Sequence, residues 1–357
     1  MHSMHTIPTH QNNTKVSHST DDNNNITFKI NRTSKAYQVP LRCADRLHDI
    51  SKQLLWIDHT NTAPYLITKH TATKHVKFNW NNKNQQHPYS PVLSIKSALI
   101  AAQQLKWLPN TTQPLIICSK KLLKELALLE LCHTQPLYQN NIYVQYNGNH
   151  IYILPTSVQW EENSDQLGKI VESMYTKQCA EPYITYELID AALGEHNLLY
   201  SSTCDGILQH DIPEYNLHSG QSIEIKTNGL TYKNQLQQYF SGKRYVYNIA
   251  CNKDKQQWNI PAHGEWLQAD EQPKQIGVRL KRINTIFTYL RQHIEPDQNM
   301  HVYSITIDRQ GHMDIHKKSL LEVDEYQYIS KHSSNQQSND NNDIDTITNK
   351  LSTSTIT

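Results

Sequence analysis

The chain has 357 residues, enough for one large domain or two small ones with a real core. Its 34 Lys and Arg against 33 Asp and Glu leave a net charge of +1, which excludes a general nucleic-acid scavenger, so any phosphate contact must come from a local patch. Hydrophobic residues make up only 37%, and the deficit falls at the two ends: residues 1–35 and 332–357 are rich in Asn, Ser, Thr, Asp, Gln and His and are expected to be disordered tails around one domain, 36–331.

In chain order, Ser90-Pro91 predicts a helix start, as N-cap and first-turn proline, for the run Val92 to Leu108, with Pro109 as its stop. Leu115 to Cys118 reads as a short buried strand. Ser119 then caps a helix over Lys120 to Leu131, whose Leu122, Leu123, Leu126 and Leu129 form one apolar stripe. Ile142 to Tyr146 and His150 to Leu154 flank Asn147-Gly148, a hairpin signal. Gly168 to Glu172 opens a helix running toward Gln178. Leu198 to Asp205 is a strand, Pro213 to Gly220 is loop-like, and Ser222 to Thr227 is a strand by its alternation. A short helix over Gln235 to Phe240, a strand over Tyr245 to Cys251 and an amphipathic helix over Val278 to Ile294 follow. A hairpin of His301 to Ile307 with His312 to His316, around Gln310-Gly311, closes the body. Strands interleaved with helices and hairpins predict α+β or α/β with a mixed central sheet.

The six cysteines form no Cys-x-x-Cys pair, which fits reduced, mostly buried thiols rather than a disulfide scaffold. The twenty histidines show no zinc spacing. No apolar h-region follows Met1 and no segment approaches twenty apolar residues, so neither a signal peptide nor a membrane span is expected. Three basic runs are candidate patches: Lys120, Lys121 and Lys124; Lys243 and Arg244; and Arg279 to Arg282. Each pattern also describes an ordinary solvated face.

The densest chemistry is Asp205 followed by Glu224-Ile225-Lys226. Residues two apart on a strand share a face, so Glu224 and Lys226 project together. If the two strands pair, Asp205 joins them, giving two carboxylates and an ammonium at one point. That set suits a hard divalent cation with a lysine to orient water or stabilise phosphate, the layout of a metal-dependent nuclease. The spacing alone equally describes a solvated strand.

Four motifs in order are more specific: Gly168 to Glu172; Leu198-Leu199-Tyr200-Ser201 with Asp205; Ile223-Glu224-Ile225-Lys226-Thr227; and Gln238 with Phe240. With the hairpin before them and Leu193-Gly194-x-His196 between, this order resembles the DXO/Dom3Z decapping-nuclease family over about 115–329. The resemblance implies an α+β fold, a mixed central sheet flanked by helices in a restriction-enzyme-like nuclease core. It implies Mg²⁺ or Mn²⁺ as cofactor if the site is functional, and otherwise none. Carried over by position, it implies Glu172, Asp205 and Glu224 as metal ligands and Asp205, Glu224 and Lys226 as the catalytic set. By the same resemblance Gln238 approaches the substrate, and Lys120, with Lys121 and Lys124 as other choices, stands for the family's phosphate-binding arginine, keeping its charge but losing the two-pronged grip.

A second position departs from the pattern. Thr203 stands where the family has a glutamate, so a second cation loses a charged ligand. The resemblance is therefore to a divergent member of the insect piRNA-pathway kind: a degenerate nuclease that binds or shields RNA 5′ ends, or scaffolds partners in nuclear RNA metabolism. The partners implied are an RNA 5′ end and proteins of a nuclear complex, Rhino- and Deadlock-like or an exoribonuclease. The alternative is an active cation-dependent decapping enzyme or 5′-to-3′ exoribonuclease. The expected location is nuclear, with the cytoplasm as a second compartment.

Overall fold

The computed structural model describes residues 26–40, 54–56, 65–66, 74–77, 91–108, 113–129, 140–155, 165–177, 183–254, 257–296, 302–307 and 313–318. Strands β1 (Phe28–Thr33), β2 (Tyr37–Pro40), β3 (Leu55–Trp56), β4 (Tyr65–Leu66) and β5 (Lys74–Lys77) come first. Helix α1 (Pro91–Gln104), β6 (Leu115–Ser119) and α2 (Lys120–Leu128) lead to a hairpin, β7 (Asn140–Tyr146) and β8 (His150–Pro155). Then come α3 (Asp165–Tyr175), β9 (Thr176–Lys177), β10 (Tyr183–Leu193), β11 (His196–Thr203), β12 (Gly206–Leu208), β13 (Ser222–Ile223) and β14 (Ile225–Thr227). The chain continues with α4 (Tyr232–Ser241), β15 (Tyr245–Ile249), β16 (Asn252–Asp254), β17 (Gln257–Ile260), β18 (Glu265–Gln268), α5 (Ile276–His293), β19 (Val302–Ile307) and β20 (Met313–Lys318).

The main sheet runs β20-β19-β7-β8-β6-β11-β10-β2-β3, with β1 also paired to β10. Strand β6 pairs in parallel with both β8 and β11, and the other described pairs of this sheet are antiparallel. This is the α+β architecture with a mixed central sheet that the sequence predicts. Strand β6 shows why helices cover both faces: all five of its residues are buried, and they alternate between two cores. Ile116 and Cys118 face a core closed by α2, α4 and α5 through Leu122, Leu126, Leu236, Phe240, Ile283 and Phe287. Leu115 and Ile117 face the opposite core, closed by Ile95, Ala98 and Ala102 of α1. A third cluster joins Val171 and Tyr175 of α3 to Ile223, Ile225, Tyr247 and Ile249 of the small sheets.

Several boundaries differ from expectation. Helix α1 ends at Gln104, before Pro109; Lys106 turns the chain at a positive φ of 55°. Helix α3 begins at Asp165, three residues before Gly168, so Glu172 lies toward its C-terminal end rather than in its first turn. Strand β1 lies inside the segment expected to be a tail, where it pairs with β10. The 198–205 strand ends at Thr203, and the 222–227 strand is two short strands broken at Glu224. The N-cap at Ser90, the Gln310-Gly311 turn and the tail from 332 lie outside the described residues.

Candidate nucleic-acid and phosphate site

Strands β6 and β11 are parallel neighbours, with Ser119 opposite Ser201 at their carboxyl ends. Ligands of sheets with parallel strands sit at such ends. From β6 the chain turns directly into α2, where the Ser119 hydroxyl caps the helix by accepting from Leu122 N at 3.2 Å. The cap places Lys120 at the first helical position, buried beneath the strand ends. From β11 the chain passes Thr203 and Cys204 to Asp205, whose backbone N–H donates to Ile223 O at 3.1 Å. Gly206 then pairs with Ile223 as β12 meets β13, and this pairing sets Asp205 beside Glu224.

Glu224 sits where the chain leaves one sheet and enters another. Strand β13 before it pairs with β12, and β14 after it pairs in parallel with β15. Its own carbonyl accepts from Tyr247 N at 2.9 Å. The side chain is fully buried at 0% exposure and its oxygens are heavily engaged. Oε1 pairs with Lys120 Nζ at 2.6 Å, with Lys243 Nζ at 3.7 Å beyond it. Oε2 accepts from Lys226 Nζ and from Gln237 Nε2, each at 2.9 Å. Lys226 also reaches Asp205 Oδ2 at 3.3 Å, an oxygen that already accepts from Ile225 N at 2.8 Å.

The group extends to two residues that motif reading does not connect. Lys243 Nζ pairs with Glu187 Oε2 at 3.2 Å, and the Ser222 hydroxyl donates to the other Glu187 oxygen. Lys243 is aimed inward because α4 ends on Gly242 at φ 66°, a left-handed cap where the Lys243 N–H returns to Gln238 O. Arg244, its partner in the basic run, turns outward to Glu271 at 3.4 Å. Arg279 is likewise structural: it is buried, donates to Ala127 O and stacks over Tyr232.

Electrostatics follow from burial opposed by pairing. Burial alone would raise the Glu224 carboxyl, but Lys120, Lys226 and Lys243 together hold it well below the ordinary glutamate value. Asp205 is pushed up, by burial first and by the Glu224 charge, against the pull of Lys226. Burial would lower Lys226, yet Asp205 and Glu224 keep it raised, with Glu172 adding to their field. Lys243 is raised by Cys204, Glu187 and Glu224 over the same burial cost. Lys124 is lowered by burial and by repulsion from Lys121, Lys120 and Lys226, against the pull of Glu125.

Of the residues singled out from the sequence, the structure brings Asp205, Glu224, Lys226 and Lys120 into direct contact. Glu172 stands close enough to act on Lys226 electrostatically. Thr203 enters through its carbonyl, which accepts from Lys120 Nζ at 3.3 Å. Gln238 does not join them: it is buried with neither side-chain polar atom hydrogen-bonded among the described residues, and its neighbour Gln237 makes the contact with Glu224. A one-residue difference on a helix turns a side chain by about 100°, so Gln237 and not Gln238 of the Gln-x-Phe spacing faces Glu224. Beside this cluster lies a cavity of about 140 Å³. Lys120, Lys121 and Lys124 supply its charge, Ser94, Ser119, Ser201 and Thr203 its hydroxyls, and Gln237 an amide. Donors of this kind at a helix N-terminus suit a phosphate.

Comparison with known proteins places the architecture. No protein-family model and no curated protein sequence matches the chain. Its fold is that of the Rai1 and Dxo1 proteins. Candida albicans Rai1, in complex with pU5 and Mn²⁺, is 12% identical over 84% of this chain and 92% of that one, at a TM-score of 0.52. Scheffersomyces stipitis Rai1, with (3′-NADP)⁺ and calcium, is 13% identical over 84% and 92% at 0.54. K. lactis Dxo1, with manganese, is 11% identical over 83% and 92% at 0.53. The metals in those crystals raise the question of whether this donor set fits one. It does not: among the described residues no three His, Cys, Asp or Glu side chains are grouped to hold an ion. Mg²⁺ asks for near-octahedral oxygen ligands at about 2.0–2.1 Å, and Glu224 already has an ammonium on each oxygen.

Among the described residues no helix is long and apolar enough to cross a membrane.

Proposed function

We propose that this protein binds RNA 5′ ends in a DXO-type fold without efficient turnover, shielding transcripts or scaffolding partners in nuclear RNA metabolism. The observation that carries this reading is the state of Glu224: buried, with lysines on both oxygens, beside a Thr203 that offers no carboxylate. A nuclease of this plan needs a cation to activate water and to stabilise charge on phosphate. The adjoining cavity supports retained binding, since its wall carries Lys121 and Lys124 beside the N-terminus of α2, a setting that suits a terminal phosphate. Within the family the reading is nearest to Cutoff, the insect piRNA-pathway protein that works with Rhino and Deadlock, and it carries a nuclear location. The alternative, an active cation-dependent decapping enzyme or exoribonuclease, draws support from the meeting of Asp205, Glu224 and Lys226.

The deciding experiment incubates the full chain with 5′-monophosphate and unmethyl-capped RNA in Mg²⁺ or Mn²⁺. The expected result is binding of the RNA with no product above that of a Glu224→Ala variant. Wild-type turnover that folded Glu224→Ala and Asp205→Asn variants both lack would overturn the reading. Thr203→Glu combined with Lys120→Arg then asks whether those two changes suffice to restore cleavage.

A further inference from the structure

Six charged side chains meet in and around this cluster: Lys120, Lys226 and Lys243 against Glu187, Asp205 and Glu224, three positive to three negative. Lys226 lies between Asp205 and Glu224, at 3.3 and 2.9 Å, and pairs with both. Lys120 covers the far oxygen of Glu224, and Lys243 links that oxygen to Glu187. A carboxylate offers about four lone-pair sites. On Glu224 Oε2 both are used, by Lys226 and Gln237, and on Asp205 Oδ2 both are used, by Lys226 and Ile225 N. A divalent ion entering here would carry a group already at zero net charge to +2 in a buried setting, so at least one ammonium would have to leave.

We infer that the ion pairs of Lys120, Lys226 and Lys243 with these carboxylates close the site to divalent metal, so that the protein's binding is metal-independent. An ammonium neutralises charge as a cation does, but it has no open coordination position and cannot generate a bound hydroxide. Ion pairs of this kind brace the carboxylates without supplying a cation's chemistry. The inference deepens the RNA-end reading and borrows from it only the ligand; metal exclusion stands on the cluster itself.

The test uses Mn²⁺ as the probe on the full-length wild type. The electron paramagnetic resonance signal of aqueous Mn²⁺ should be undiminished by an equivalent of protein, and the melting temperature should be the same in Mn²⁺ and in EDTA. Lys120→Ala uncovers Glu224 Oε1; in that variant Mn²⁺ should be taken up and should raise the melting temperature by a few degrees. If Lys120→Ala does not fold, Lys243→Ala is read in the same way. Uptake of one equivalent by the wild type overturns the inference, as does a folded lysine variant that gains no Mn²⁺. Filter binding of 5′-monophosphate RNA in EDTA separates the two claims. A wild type that ignores Mn²⁺ and binds no RNA sinks the RNA-end reading alone, whereas Mn²⁺ uptake with RNA binding unchanged sinks only the inference.

Discussion

Glu224 carries an unusual load for one carboxylate, since Lys120, Lys226 and Lys243 all depend on it for compensation. Glu224→Gln keeps the shape and removes the charge, leaving buried ammonium groups facing an amide. Breaking a buried pair in this way typically destabilises by about 3–5 kcal/mol, and urea denaturation at neutral pH should read a loss of that order. The pH dependence has a definite sign. Glu224 is depressed in the folded state, so its stabilisation is full above the unfolded glutamate value, about 4.3, and is lost as pH falls through the lower folded value. The gap between wild type and Glu224→Gln should therefore narrow below that range; a gap that stays constant down to acid unfolding would remove the ion-pair explanation. In the cavity next door, Lys121 and Lys124 line the wall without holding Glu224. Lys124→Ala should weaken 5′-phosphorylated RNA and lower the salt slope of binding by about one, with little change in affinity for 5′-hydroxyl RNA.

At the scale of elements, β11 and α5 are joined through His196, which is buried, approaches Thr288 Oγ1 at 3.1 Å and lies edge-on to Phe287. Burial and the neighbouring Arg291 lower its pKa from 6.5 to about 4. Between those values the unfolded chain takes up a proton that the folded one refuses, so stability falls as pH drops through this window. Urea midpoints at pH 7, 6 and 5 should decline in the wild type and decline less in His196→Gln; parallel declines would show that His196 is not responsible. Much at this scale is legible in the sequence. The Asn147-Gly148 hairpin is held by Asn147 Oδ1 accepting from Asn149 N and His150 N, local bonds that a turn motif encodes. The Ser119 cap and the leucine stripe of α2 are equally local. Long-range consequences are not legible. Strand β10 has no clear sequence signal because Glu187 and Asp190 interrupt its apolar run; Glu187 is held by Lys243 and Ser222, and Asp190 by Arg32 at 2.7 Å, all distant in sequence. The candidate site was legible as Asp205, Glu224 and Lys226. The lysine closing it from the end of α4 has no motif, since Gly242 aims it there.

Across the whole molecule, the sheet and the site are coupled through the first strand. Strand β1 pairs with the distal half of β10, and Phe28 packs at 5.3 Å against Phe240 of α4. Ile30 lies so close to Gly242 that a Cβ built there would fall 2.8 Å from Ile30 Cδ1. A segment assigned to a tail on its polar composition is thus part of the wall behind Lys243. Phe28→Ala removes half-buried surface and should lower stability by about 2 kcal/mol, less than a fully buried phenylalanine. It should also loosen α4, seen as faster amide hydrogen exchange at Gly242 and Lys243; exchange unchanged there would mean that β1 supports the sheet alone.

The break between β13 and β14 concentrates the anchoring of the fold on one residue. Glu224 is the joint at which one strand passes from sheet to sheet, and its charge fastens lysines arriving from α2, from β14 and from the end of α4. Losing it would unpin three elements at once. Its presence at this position is therefore a matter of architecture: one buried charge rivets three elements together.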